Sequence, residues 1–220
     1  FFPDTGGTVM GDDIAPSRTL EDDIKDRINN RVLTGSAPKA RHMYGGELAM
    51  PYVLRTKIAM GTGYGSQHSI DPAGVFAMSP GWRIVAPSNP FDYVGLMNSA
   101  LICKDPVLVL EHVDLYNSTG PIPQEDMDYL IPLGSAAIVR QGKDMTILSY
   151  LSMVKRSWEA IEQTGIDAEI IDLRSLDRAG LDWEKIGASI RKTNNVLIVE
   201  QGTQGNSYGT LLGDEIQRRY

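Results

Sequence analysis

The sequence predicts an α/β chain built on parallel sheet, and three observations carry that expectation. Short apolar runs such as Val107 to Leu110, Ala168 to Leu173 and Val196 to Val199 have the length and character of strands buried on both faces. Amphipathic stretches alternate with them, marked by Val154, Trp158 and Ile161, by Trp183, Ile186 and Ile190, and by Leu211, Leu212 and Ile216. A stretch from Asn117 to Pro132, punctuated by Gly120, Pro121, Pro123 and Pro132, divides the pattern into two lobes.

Taken in order, residues 1–18 are rich in Gly, Asp, Pro and Ser and read as loop. Thr19 to Leu33 reads as a helix, with Leu20, Ile24, Ile28 and Val32 on one stripe, and Gly35-Ser36-Ala37-Pro38 ends it. Pro51 to Thr56 is a strand. The loop Gly61-Thr62-Gly63-Tyr64-Gly65-Ser66-Gln67-His68-Ser69 follows, then a helix start with Ser69 or Asp71 as cap and Pro72 at the first helical position. Trp82 to Ala86 is a strand, and Ser88-Asn89-Pro90 opens a helix with Val94, Met97 and Leu101 on its apolar stripe. Lys104-Asp105-Pro106 breaks the chain before the strand at Val107, and Thr146 to Tyr150 is the first strand expected after Pro132. Crossovers of this length imply right-handed connections and a parallel sheet covered on both faces.

Composition narrows the function. The 220 residues carry a net charge of -7, which argues against a general nucleic-acid or anionic-membrane surface. Cys103 is the only cysteine, so an internal disulfide and a multi-cysteine zinc site are both excluded. No apolar run approaches the roughly 18 residues of a membrane span. Phe1-Phe2-Pro3-Asp4 reads as an interior cut or a processed end, and Arg218-Arg219-Tyr220 follows a helical pattern with no stop signal, so a fragment at both ends is expected.

Few local patterns specify chemistry. No Gly-x-x-x-x-Gly-Lys-Ser/Thr loop and no His-Glu-x-x-His spacing occurs. Gly205 to Gly209 spells a Gly-x-Ser-x-Gly elbow, but no histidine follows Ser207 to complete a hydrolase triad; a turn and a helix cap at Ser207 is the plainer reading. His42 and His112 read as surface or satisfied histidines, and Glu111 and Glu200, each ending a strand, as surface or interface charge. The glycine loop that delivers His68 beside a helix start reads equally as a flexible connection and as a site.

Longer runs decide between those two. Arg41 to Gly46, Pro51 to Thr56, Gly63 to Ser69, Pro80 to Ser88, Asp105 to Glu111, Ile131 to Gly134 and Ala168 to Leu176 together resemble the β subunit of the 2-oxo acid dehydrogenase E1 component, of the pyruvate, branched-chain and acetoin type. The resemblance covers roughly residues 40–220. It implies the end of a transketolase-like pyrimidine-binding domain at 40–116, a linker at 117–132 and a truncated transketolase C-terminal domain at 133–220, after a divergent segment 1–39 with one helix. It implies thiamine diphosphate with Mg²⁺ held mainly by an α subunit, an α2β2 heterotetramer, and a lipoyl-bearing E2 acyltransferase that takes the acyl group of a decarboxylated 2-oxo acid. The setting expected is cytoplasmic, or the mitochondrial matrix in a eukaryote. His68 is implied to face the substrate and Gln67 the cofactor. A potassium ion is implied on the backbone carbonyls of Tyr52, Ala100, Leu101, Cys103 and Asp105, with Cys103 replacing the usual acid.

One departure stands out. The family's cofactor-activating glutamate precedes a Gly/Ala-rich helix, and residues 1–40 hold no such context; Glu21 sits on a charged helix face, and Gly11-Asp12-Asp13-Ile14 only faintly resembles the family's domain start. A non-catalytic assembly subunit of the same fold therefore stands as an alternative. A transketolase or deoxyxylulose phosphate synthase relative is a third, though those families carry Gly-Pro-Thr-His where this chain has Gly65-Ser66-Gln67-His68.

Overall fold

Two β-sheets sharing one apolar core organise the chain in a computed structural model that describes residues 36–123, 125–203 and 207–220. The helix expected over Thr19–Leu33, Glu21 and the Gly11–Ile14 stretch lie outside the described residues.

The first sheet holds β1 (Val53–Ile58), β2 (Arg83–Val85) and β3 (Val107–His112), all parallel, in the order β1-β3-β2. β3 lies between its neighbours and all six of its residues are buried, which is why its sequence is nearly unbroken apolar. Three helices belong to this half: α1 (Ala37–Met43), α2 (Ala73–Ala77) and α3 (Pro90–Ile102). α1 begins where a helix end was expected, and it crosses the expected boundary at 39/40. Pro38 is in its first turn, where a missing N–H costs nothing. The chain passes α1 at Gly81, with φ +107°, where a Cβ would lie 1.7 Å from the Pro38 carbonyl oxygen.

α3 starts as expected, with the Asn89 side chain accepting from the Asp92 N–H at 2.9 Å. Its stripe is different. Asp92, Gly95, Leu96, Ser99 and Ala100 face inward, whereas Leu101 is 64% exposed. The reason is the segment 117–132, expected as a linker, part of which is a strap laid along α3. The Ile131 N–H donates to Gly95 O at 3.1 Å, Ser99 Oγ donates to Ile131 O at 2.6 Å, and Asn98 Nδ2 donates to Met127 O at 2.7 Å. A Cβ on Gly95 would lie 2.6 Å from the Ile131 side chain, so the strap needs a helix face without one.

The second sheet runs β4-β6-β5-β7, from β4 (Ala137–Arg140), β5 (Met145–Ser149), β6 (Ala168–Asp172) and β7 (Val196–Val199). The three later strands are parallel as expected. β4 was not foreseen and is antiparallel to β6, because the short turn 141–144 has no length for a crossover. Helices α4 (Ser152–Thr164), α5 (Trp183–Thr193) and α6 (Tyr208–Arg219) match the expected stripes, with Trp158 left largely in solvent.

The two halves are stitched rather than merely adjacent. Ile84, Leu108 and Leu110 pack in one cluster with Leu148, Ile171, Leu173 and Tyr208. The stretch after β6 pairs with β2: Ala86 N–H donates to Arg174 O and Leu176 N–H to Ile84 O, both at 2.8 Å, and Val85 and Ser175 form an antiparallel bridge. Arg174 turns the chain here at φ 55° and sets its guanidinium 2.5 Å from Asp92. Arg83 meets Asp177 at 3.0 Å, and Ser88 donates to Asp172. Burial pushes the Asp172 carboxyl up to about 7. Among the described residues, no helix is long and apolar enough to cross a membrane.

Candidate functional site

The loop that carries His68 leaves the carboxyl end of β1 and returns into α2. Gly61, Gly63 and Gly65 all take positive φ, so the loop folds back on itself in a way side chains resist. Its base is closed by the Ala59 N–H, which donates to His68 O at 2.8 Å. The His68 imidazole is half-buried and stands edge-on to Tyr64, with ring centres 5.7 Å apart. Lys57 Nζ lies over the same Tyr64 ring at 4.1 Å. Gln67 is exposed beside His68. The capping role falls to Asp71, whose Oδ1 accepts from Ala73 N–H at 2.9 Å; Pro72 is one position before the first helical residue rather than at it.

The carboxyl end of β3 is the second part of the site. Glu111, read as surface or interface charge, is buried, and His112, read as a surface or satisfied histidine, is buried with both ring nitrogens partnered. Arg55 Nε and Nη2 reach Glu111 Oε1 and Oε2 at 2.5 and 3.1 Å, and the Tyr93 and Tyr116 hydroxyls donate to it at 2.8 and 3.2 Å. Burial alone would raise this carboxyl, but Arg55 and the two tyrosines hold it below the usual range. Tyr93 is pushed up to about 12 by burial and by Glu111. A cavity of about 320 Å³ opens beside this cluster, lined by Arg55, Tyr93, Leu110, Leu115, Tyr116 and Ile122 among others. Arg55 of the cavity wall lies on β1, the strand from whose carboxyl end the glycine loop leaves.

His112 has a definite tautomer. Its Nδ1 accepts from Asp114 N–H at 3.2 Å, which leaves Nε2 to carry the proton and donate to Gln201 Oε1 at 2.5 Å. Gln201, from the far sheet, donates in turn to Met60 O at 3.4 Å. Sequence reasoning missed this link; no local signal pairs residues so distant along the chain. The Ser207 side chain makes no cap bond at the start of α6, where Gly209 N–H donates instead to Glu200 at 2.8 Å.

The five residues expected at a cation come to one corner. The end of α3 and the turn 103–106 abut the start of β1, with Val107 N–H donating to Tyr52 O at 3.0 Å, Met50 N–H to Lys104 O at 2.9 Å and Cys103 N–H to Ala100 O at 3.2 Å. Arg41 and Asp105 pair at 2.8 Å on its rim. The carbonyls of Tyr52 and Ala100 thus each already accept one N–H.

A thiamine-type cofactor needs an apolar slot for a ring, a carboxyl able to exchange a proton with it, and a cradle for diphosphate and metal. The cavity suits the first, being ring-sized and aromatic-walled. Glu111 does not suit the second, because Arg55 and both tyrosines already engage it. Among the described residues no group of three His, Cys, Asp or Glu side chains suits the third.

Residues 35–119 match the pyrimidine binding domain of transketolase, and residues 134–220 match the transketolase C-terminal domain. The chain is also similar in fold to a split gene transketolase solved as an inactive beta4 tetramer, with TM-score 0.62 and 19% identity over 86% of this chain and 62% of that one. Fold and domain matches together define a transketolase-like α/β protein. Its sequence is 36% identical over 186 residues to the beta subunit of acetoin:2,6-dichlorophenolindophenol oxidoreductase from Cupriavidus necator, across 83% of this chain and 54% of that one. It is 43% identical over 171 residues to the pyruvate dehydrogenase E1 component subunit beta of Mesostigma viride, across 76% and 51% respectively. The chain belongs to the family of 2-oxo acid dehydrogenase E1 β subunits, of the pyruvate and acetoin dehydrogenase type. It spans about half the length of the curated relatives it matches.

Proposed function

We propose that this chain is part of a β-type subunit of a thiamine diphosphate-dependent 2-oxo acid or acetoin dehydrogenase. The observation that carries the reading is sequence similarity to such subunits that runs through both halves of the chain. On this reading, residues 40–116 form the later part of the pyrimidine-binding domain and 133–220 the beginning of the C-terminal domain, with 117–132 joining them. An α subunit holds the diphosphate and Mg²⁺ in an α2β2 assembly, and a lipoyl-bearing acyltransferase accepts the acyl group. A potassium ion on the carbonyls of Tyr52, Ala100, Leu101, Cys103 and Asp105 would steady the end of α3. The setting is cytoplasmic, or the mitochondrial matrix in a eukaryote.

The cofactor supplies the electron sink for loss of carbon dioxide. This chain's own residues do the positioning. His68, on an exposed loop with its ring braced by Tyr64, is able to hydrogen-bond a substrate carboxylate or carry a proton at its imidazole. Gln67 beside it would meet the cofactor. The aromatic cavity at the carboxyl end of β3 would shelter one side of the reacting centre from water.

The test uses the full-length chain with its α partner and a panel of pyruvate, branched-chain 2-oxo acids and acetoin. Turnover is expected with at least one of them and only with thiamine diphosphate. His68→Ala should lower turnover with the lipoyl acceptor by about 10²–10⁴-fold. Wild-type rates in that variant would remove His68 from the mechanism. A stable αβ complex with no turnover on the whole panel would point to the assembly-subunit alternative.

A further inference from the structure

The His68 loop is exposed, yet both of its feet are tied to the other half of the molecule. The first foot is Met60, whose carbonyl accepts from Gln201 Nε2; Gln201 is itself held by His112. The second foot is Asp71, three residues past His68, which meets the Tyr150 hydroxyl at 2.6 Å. Tyr150 directly follows β5, is 2% exposed, and its hydroxyl also lies 2.9 Å from Glu200 Oε2, just past β7. Tyr150 and Gln201 thus bring the carboxyl ends of β5 and β7 against the loop.

The second foot has a proton count. Two carboxyl groups approach one phenol, and a phenol has one proton to give. The other oxygen–oxygen contact at hydrogen-bond distance needs a proton of its own. Glu200 Oε2, the oxygen that meets Tyr150, is already taken by the Gly209 N–H at 2.8 Å, whereas at Asp71 the backbone N–H goes to the other oxygen, Oδ1, and leaves Oδ2 to Tyr150 alone. The extra proton therefore belongs to Asp71. Its Oδ2–H donates to Tyr150, and Tyr150 donates on to Glu200, while Asp71 Oδ1 still accepts from Ala73 N–H. Burial raises the Asp71 carboxyl, in the direction this requires. The titratable groups beside the trio are the neutral His112 imidazole and Tyr208, whose hydroxyl feels Glu200.

We propose that Tyr150 and Gln201 are positioning residues for the His68 loop, and that Asp71 is a protonated latch on Tyr150 that opens when its proton leaves. The catalytic consequence rests on the function proposed above; the latch itself does not. As pH rises and Asp71 ionises, two carboxylates face each other across one phenol, and the foot at residues 69–72 loosens. The raised carboxyl makes the sign definite: the latch is closed at low pH and lost as pH rises.

Hydrogen exchange on the full-length αβ complex tests this, read as protection of residues 59–71 corrected for intrinsic rate. Tyr150→Phe keeps the ring and removes the hydroxyl. It should lower protection of that segment about tenfold, the worth of one hydrogen bond to a charged or shared partner. Tyr208→Phe is the control, because the Tyr208 hydroxyl is buried without a hydrogen-bond partner among the described residues; it should leave the segment unchanged. Asp71→Asn supplies an amide donor at every pH, so its protection should stay flat across the range in which the wild type loses its own. Equal protection in the two Tyr→Phe variants, or an unchanged pH midpoint in Asp71→Asn, would overturn the proposal. In the active complex Tyr150→Phe should lower kcat about tenfold with KM changed less than twofold. If exchange behaves as expected while the wild type turns over no 2-oxo acid or acetoin, the functional reading fails and the latch stands.

Discussion

The seam at residues 172–177 and the loop at 61–69 are built on opposite plans. The seam is a short antiparallel pairing with β2, reinforced by Arg174 with Asp92, Arg83 with Asp177 and Ser88 with Asp172. The loop has three glycines at positive φ, is exposed over most of its length, and is held chiefly at its ends. The difference teaches where this fold invests rigidity. The two halves are fixed to each other by buried charge. The segment that carries His68 keeps local freedom, and its feet stand on that fixed frame.

The comparison breaks most severely at Asp92. Removing it by Asp92→Ala leaves the Arg174 guanidinium, 17% exposed, without its carboxylate, and should cost about 3–5 kcal/mol in denaturant unfolding. A loss below about 1 kcal/mol would mean that the seam's charges are not what joins the halves. Asp172 sharpens the same point through pH. Its carboxyl rises to about 7 in the folded chain from an ordinary value of 3.8, so the folded state keeps a proton that the unfolded state has lost. Its contribution is complete below about 4 and is lost as pH rises towards 7, on the order of a few kcal/mol in all. Asp172→Asn should remove that slope, seen as thermal midpoints that fall less between pH 5 and 8.

Gly95→Ala comes next. The new methyl meets the Ile131 and Tyr129 side chains at 2.6–2.7 Å and should cost about 1–3 kcal/mol as the strap shifts. At the loop the expected effect is smallest. Lys57→Ala removes the cation over Tyr64 and should change stability by about 0.5–1 kcal/mol or less. A larger loss there would show that the loop, too, is part of the frame.

Legibility followed the same division. Strands such as β3 and β6 were readable because burial on both faces leaves only apolar choices. The start of α3 was readable because Asn89 and Pro90 act within one turn of chain. The stripe Val94-Met97-Leu101 misled, since what covers α3 is a strap 29 to 32 residues further along the sequence. β4 and α1 were missed for a related reason: one is an edge strand whose partner fixes its direction, and the other starts at a Pro that also reads as a break. His68 was located by its surroundings in sequence, whereas the network through His112, Gln201, Tyr150 and Asp71 was invisible there.

By itself, then, the sequence determined the α/β class, most strands and helices, the family and the histidine on its glycine loop, because each depends on residues close in the chain or on ordered runs of them. Tertiary structure alone decided how the halves are stitched, which face of α3 turns inward, that Glu111 is locked, and where the loop's feet rest. Those outcomes depend on burial and on charge partners tens of residues away, and neither periodicity nor spacing encodes the distance between side chains in the folded state.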